Sequence, residues 1–194
     1  MGTTEVTQYE YEQIMNNNPS HYKMQNYPVH KVSWNDAVEF CRRLSEKENK
    51  TYRLPTEAQW EYACRAGTTT PFYTGETIST DQANYDGRYV YGNGSSGRPR
   101  HKPKPVGSFS ANGFGLYDMH GNVNEWCQDW YGKDYYATSP ISNPQGPSSG
   151  KDRVMRGGSY GFYPRFCRSA ERGWLTPDVS VSSVNGFRIV LDLN

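Results

Sequence analysis

Four cysteines, four histidines and two clusters of charge are the residues of this chain whose types could do chemistry. Cys41, Cys64, Cys127 and Cys167 are far apart, with no C-x-x-C pair and no histidine at a ligand spacing, so neither a zinc site nor a dense disulfide framework is indicated. They read as reduced, partly buried thiols. Asp118 and Glu125 are carboxylates, a group type that suits a hard cation. The same carboxylates could equally cap turns or pair with arginines. The run Arg98-Pro99-Arg100-His101-Lys102-Pro103-Lys104 is the dense basic patch. It lacks interleaved aromatics and a groove-reading helix, so it reads as a solvated loop rather than a nucleic-acid site.

Three segments could position such groups. Thr7-x-x-Glu10, Ser33-x-x-Asp36 and Thr56-x-x-Gln59 each put a hydroxyl at a helix cap with an acceptor three residues on. The first helix runs about two turns, with Val6 stapled on Tyr11, and stops at Asn16-Asn17-Asn18-Pro19. The second, Trp34 to about Glu48, sets Ala37, Val38, Cys41 and Leu44 on its inner face. The third, Glu57 to Arg65, carries Trp60, Tyr62 and Ala63 and meets Gly67 as a C-cap. Beyond Gly67 turn formers dominate, and apolar residues come in short runs: Gly113 to Tyr117, Val154 to Arg156 and Phe187 to Leu191. These predict short strands joined by long loops. Ile78 to Val106 and Tyr131 to Arg153 have little periodicity, which in a compact domain marks ordered functional loops.

The 194 residues suit one domain, 1–194, and 16 Tyr, 7 Phe and 5 Trp supply bulk for its core. With 21 Lys+Arg against 20 Asp+Glu, no global field draws in nucleic acid or an anionic membrane. No apolar run is long enough to insert into a bilayer, and Met1 to Glu10 lacks the basic start and apolar stretch of an export signal.

Read in order, Glu5-Val6-Thr7-Gln8-Tyr9-Glu10-Tyr11, Pro28 to Ala37, Tyr52 to Ala63, Gly113 to Trp126 and Arg156-Gly157-Gly158-Ser159-Tyr160 resemble the formylglycine-generating enzyme (sulfatase-modifying factor) superfamily. The resemblance implies an α+β fold: the C-type lectin variant, with two or three helices, small antiparallel sheets and much irregular loop. The family has a strand or more ahead of the point where this chain begins, which leaves room for an amino-terminal segment outside it. A cytoplasmic location and export through such a segment are both open.

The family's founding activity oxidises a sulfatase cysteine with oxygen and a copper ion held by two thiolates, one three residues after Gly-Gly-Ser and one five further on. Here those positions are Phe162 and Cys167. One thiolate beside a phenyl ring cannot make a bis-thiolate Cu(I) site, so no copper and no oxidase activity are expected. The related sulfoxide synthases use three histidines at iron together with a helical-bundle domain; this chain has only His21, His30, His101 and His120 and no such domain. The family can place a structural calcium at Asp118, Gly121, Val123 and Glu125.

Over about 153–190 the frame residues match the family, but the residues between them do not. Gly161, Phe162, Tyr163, Phe166, Glu171, Gly173, Trp174, Leu175, Val179, Val181 and Val184 stand where many members have Asn, Asp or Arg. An intact frame with idiosyncratic filling resembles the variable proteins of diversity-generating retroelements. That resemblance implies a non-catalytic domain displaying these residues to a protein or other macromolecular ligand. The plainer alternative is that the aromatics fill the core. A formylglycine-generating oxidase and a structural or accessory module of the same superfamily remain the rival functions.

Overall fold

The computed structural model describes residues 1–193. Helices α1 (Gln8–Met15), α2 (Trp34–Glu48) and α3 (Glu57–Arg65) all start on complete capping boxes, with Thr7, Ser33 and Thr56 accepting from the third helical N–H while Glu10, Asp36 and Gln59 reach back. Each box satisfies two otherwise orphaned donors. The helices end on left-handed residues Asn16, Asn49 and Ala66. The third stop therefore falls on Ala66, one residue before Gly67, which also has positive φ.

The inner face of α2 differs from the sequence reading at Val38. Val38 is exposed and Phe40 takes its place inward, stacked on Tyr11 with ring centroids 5.6 Å apart and meeting Phe187 edge-on at 5.3 Å. On α3, Tyr62 is 70% exposed while Trp60 and Cys64 are fully buried. Tyr62 thus lies on the solvent stripe of a helix whose Trp60–Ala63–Cys64 face makes the core.

The strands are short. β1 (Tyr52–Arg53) pairs antiparallel with β6 (Val190–Leu191). The larger sheet has the order β4-β3-β2-β5, from β2 (Asn124–Trp130), β3 (Arg153–Arg156), β4 (Gly173–Leu175) and β5 (Asn185–Gly186). Its β2–β5 ladder is parallel and the others antiparallel. The run Gly113 to Tyr117 forms loop rather than strand, its turn built around Asn112, whose side chain donates to Ala63 O (2.7 Å) and accepts from Phe114 N (3.0 Å). Of the Phe187–Leu191 run only Val190–Leu191 is strand.

Strand β2 is the organising element. Trp126 is fully buried and donates to Val32 O at 3.0 Å, which ties the sheet to the entry of α2. The long segments 78–106 and 131–153 are ordered loop with one short 3-10 turn at Tyr135–Ala137, and the first packs Ile78, Ala83 and Tyr85 against Phe72 and Cys167.

Candidate functional site

Strand β3 ends in Gly157 and Gly158, both at positive φ (88° and 71°). A Cβ on Gly158 would lie 2.6 Å from Cys167 Sγ and 2.7 Å from Phe166 O, so only glycine lets the turn approach the 3-10 segment Pro164–Cys167. Between this turn, β3 and β4 lies an open cleft of about 280 Å³, whose lining includes Phe162, Phe166, Trp174, Arg156 and Arg172. Phe162 (40% exposed) and Trp174 (54% exposed) stand at its edge. Phe162 meets Phe166 edge-on at 5.9 Å, and Trp174 stacks on Tyr131 at 4.4 Å.

The wall behind these rings is fixed by charge. Arg172 makes a two-pronged pair with buried Glu57 (2.7 and 2.8 Å) and covers the faces of Tyr131 and Tyr136 at 4.8 and 4.9 Å. Arg156, fully buried, donates to Glu61, to Ser169 O (2.8 Å) and to Glu171 O. Arg165 lies over Phe166 at 4.5 Å. Charge-assisted, forked contacts of this kind hold a rim rigid.

Five of the residues singled out in the sequence therefore converge on the cleft: Phe162, Phe166, Glu171, Gly173 and Trp174. The others are placed elsewhere. Tyr163 lies against Tyr89, with centroids 3.7 Å apart. Leu175, next to Trp174 on a strand where faces alternate, packs against the main core. Val179 and Val181 follow β4 outside the cleft, Val181 being 80% exposed. Val184 adjoins Gly161. None of the eleven is buried. Sequence reasoning missed Tyr131, Tyr136 and Arg156; the aperiodic 131–153 loop was the available signal for the two tyrosines.

The residues at the copper positions do not fit that metal. Phe162 offers no donor. Cys167 is fully buried beside Phe72, Ile78, Ala83 and Tyr85, and burial pushes its thiol up to about 12, so it is protonated at neutral pH. Burial likewise holds Cys41 and Cys64 up at about 12 and raises Cys127 well above the ordinary thiol range.

The calcium set lies on and beside β2. Val123 ends the loop before β2, and Glu125 is the second residue of the strand, pairing with Arg156 across the ladder. Both Glu125 oxygens are occupied: Oε2 accepts from Trp60 Nε1 and Arg188 Nε, and Oε1 from Arg188 Nη2, each at 2.6 Å. The cation in this pocket is Arg188. Asp118 accepts from Gly107 N at 2.6 Å through Oδ2, its other oxygen is buried without a partner, and burial raises the carboxyl above its ordinary range. Gly121 serves packing instead: a Cβ there would lie 2.3 Å from Asn84 O. Among the described residues no group of three His, Cys, Asp or Glu side chains is placed to hold a metal.

Residues 1–193 match the sulfatase-modifying factor enzyme 1-like domain. The chain belongs to that family. Formylglycine-generating enzymes of Mus musculus and Streptomyces coelicolor are 40% and 41% identical to it over 176 residues, covering 86% of the chain and 45% and 53% of those proteins. This sulfatase-modifying-factor domain thus spans about half the length of the curated relatives it matches. Treponema denticola variable protein 1 superposes with a TM-score of 0.79 at 28% identity, over 95% of this chain and 81% of that one. The architecture is the C-type-lectin-like form that the resemblance implied, three helices with small sheets and long loops. No helix of the described residues is long and apolar enough to cross a membrane.

Proposed function

We propose that this domain is a non-catalytic binding module of the variable-protein type, which seats its ligand on the Phe162–Phe166–Trp174 cleft. The observation that carries the reading is the pair of residues at the would-be copper positions: a half-exposed phenyl ring and a buried, protonated thiol. Likeness to Treponema denticola variable protein 1 supports it. A cleft of about 280 Å³ is slightly below the roughly 300–1,000 Å³ of small-molecule sites, so it suits a side chain or two of a macromolecular partner. Aromatics and arginine at its wall are the residue types that dominate binding energy at such contacts.

Sequencing sister copies of the gene tests the reading. Substitutions should gather at Phe162, Phe166, Glu171, Gly173, Trp174 and their neighbours while Gly157, Gly158, Cys167 and Arg172 stay fixed. Differences spread evenly over helices and sheet would refute it. The second reading, an oxidase acting on a sulfatase cysteine, is favoured by the identity to formylglycine-generating enzymes, and requires copper chemistry for which Phe162 and Cys167 are unsuited.

A further inference from the structure

The basic run from Arg98 to Lys104 is held more firmly than a solvated loop requires. Lys102 O accepts from Asn84 Nδ2 (3.0 Å) and Lys104 N donates to Asn122 Oδ1 (2.9 Å), and both asparagines are buried. Arg100 Nη2 donates to Thr80 O at 2.7 Å, while its Nη1 is buried without a partner. Arg100 and Lys104 also share one ring, lying 5.5 and 5.6 Å from the centroid of Phe109. Pro99, Pro103 and Pro105 restrict the backbone between these anchors. The backbone of the run and the Arg100 and Lys104 side chains are therefore held before any ligand arrives, which reduces the ordering cost of binding.

These side chains line an open cavity of about 710 Å³, on which Asp81 is the sole acidic side chain. Among the described residues, Arg98, Arg100, Lys102 and Lys104 form no ion pair, although the chain as a whole carries only one net positive charge. Four unpaired cations around one concavity create a local field that the global charge does not. Guanidinium forks and ammonium groups match the oxygens of tetrahedral dianions.

We infer that this cavity is an anion site, taking a phosphate or sulfate ester group of a ligand. It shares no lining residue with the aromatic cleft, so it stands or falls apart from the proposed function. Calorimetric titration of the whole domain with inorganic pyrophosphate, inorganic phosphate and sulfate in low-chloride buffer tests it. Saturable binding at one site is expected, weakening as salt is added. Arg98→Glu/Lys102→Glu, at two exposed positions, should weaken binding at least tenfold without shifting the melting temperature of the anion-free protein. Lys102→Ala is the milder variant, with a several-fold loss, should the double change unfold the domain. Tighter binding of the phosphates than of sulfate would point to a phosphate ester, and the reverse to a sulfate ester. No saturable binding of any of the three, or equal affinity in the charge-altered variants, would overturn the inference.

Discussion

Arg188, fully buried near the carboxy terminus, donates two 2.6 Å hydrogen bonds to the carboxylate of Glu125 on the central strand. The pair joins the last part of the chain to the sheet, and Trp60 Nε1 adds a third bond to the same carboxylate from α3. Removing one partner of a buried pair leaves the other charge uncompensated, at a cost of about 3–5 kcal/mol. Arg188→Met should lose that much in chemical denaturation, and Arg188→Met/Glu125→Leu should lose less than the single change. An equal or greater loss in the double variant would show that the pair is not the source of the effect.

The same pair decides the response to calcium. A cation bound at a hundredfold excess over its dissociation constant would add about 2.7 kcal/mol. Because Arg188 occupies both Glu125 oxygens, the melting temperature is expected to be the same in chelator and in millimolar calcium. A rise of several degrees with calcium would contradict this.

Truncation separates the cleft from the core. Trp60 and Trp126 are fully buried, so their replacement by Ala should cost on the order of 3–5 kcal/mol and leave little of a typical domain's stability. Phe162→Ala and Trp174→Ala, at exposed positions, should each cost about 1 kcal/mol or less. Thermal melts of the four variants check the ordering.

His120 is buried with its tautomer fixed: Nδ1 donates to Cys167 O at 2.7 Å and Nε2 accepts from Tyr73 N at 2.9 Å. Burial holds the imidazole down at about 4 against an ordinary 6.5. The unfolded chain therefore binds the proton first as pH falls. The His120 contribution to stability is full above pH 6.5 and is lost between about 6.5 and 4, a loss on the order of 3 kcal/mol. Asp129, raised by burial to about 6, acts with opposite sign in this range, its protonation favouring the fold as pH falls. A ring-proton NMR titration isolates the histidine; its midpoint should lie near 4, and a midpoint at or above 6 would contradict the buried neutral assignment.

The helices were legible because their signals are local. A hydroxyl and an acceptor three residues apart define a capping box whatever surrounds them, and all three boxes formed. Strand β2 was not read as a strand, since Glu125 and Asp129 look like surface or metal-binding residues until Arg188, sixty-three residues on, is seen to neutralise the first of them. The cleft was legible in part: frame and filling were separable by sequence, but which filling residues share a concavity depends on the 3-10 turn at Pro164–Cys167 and on the loop bearing Tyr131 and Tyr136. No spacing rule links those segments.

A cleft that binds and does not oxidise is the role proposed for this domain. Its most direct test is to incubate the reduced domain with stoichiometric Cu(I), oxygen and a cysteine-containing sulfatase peptide, and to follow both bound metal and peptide mass. The protein should retain no equivalent of copper after desalting and the peptide should keep its cysteine, because Phe162 supplies no thiolate and Cys167 remains buried and protonated. One retained copper per chain together with conversion of that cysteine to formylglycine would contradict it.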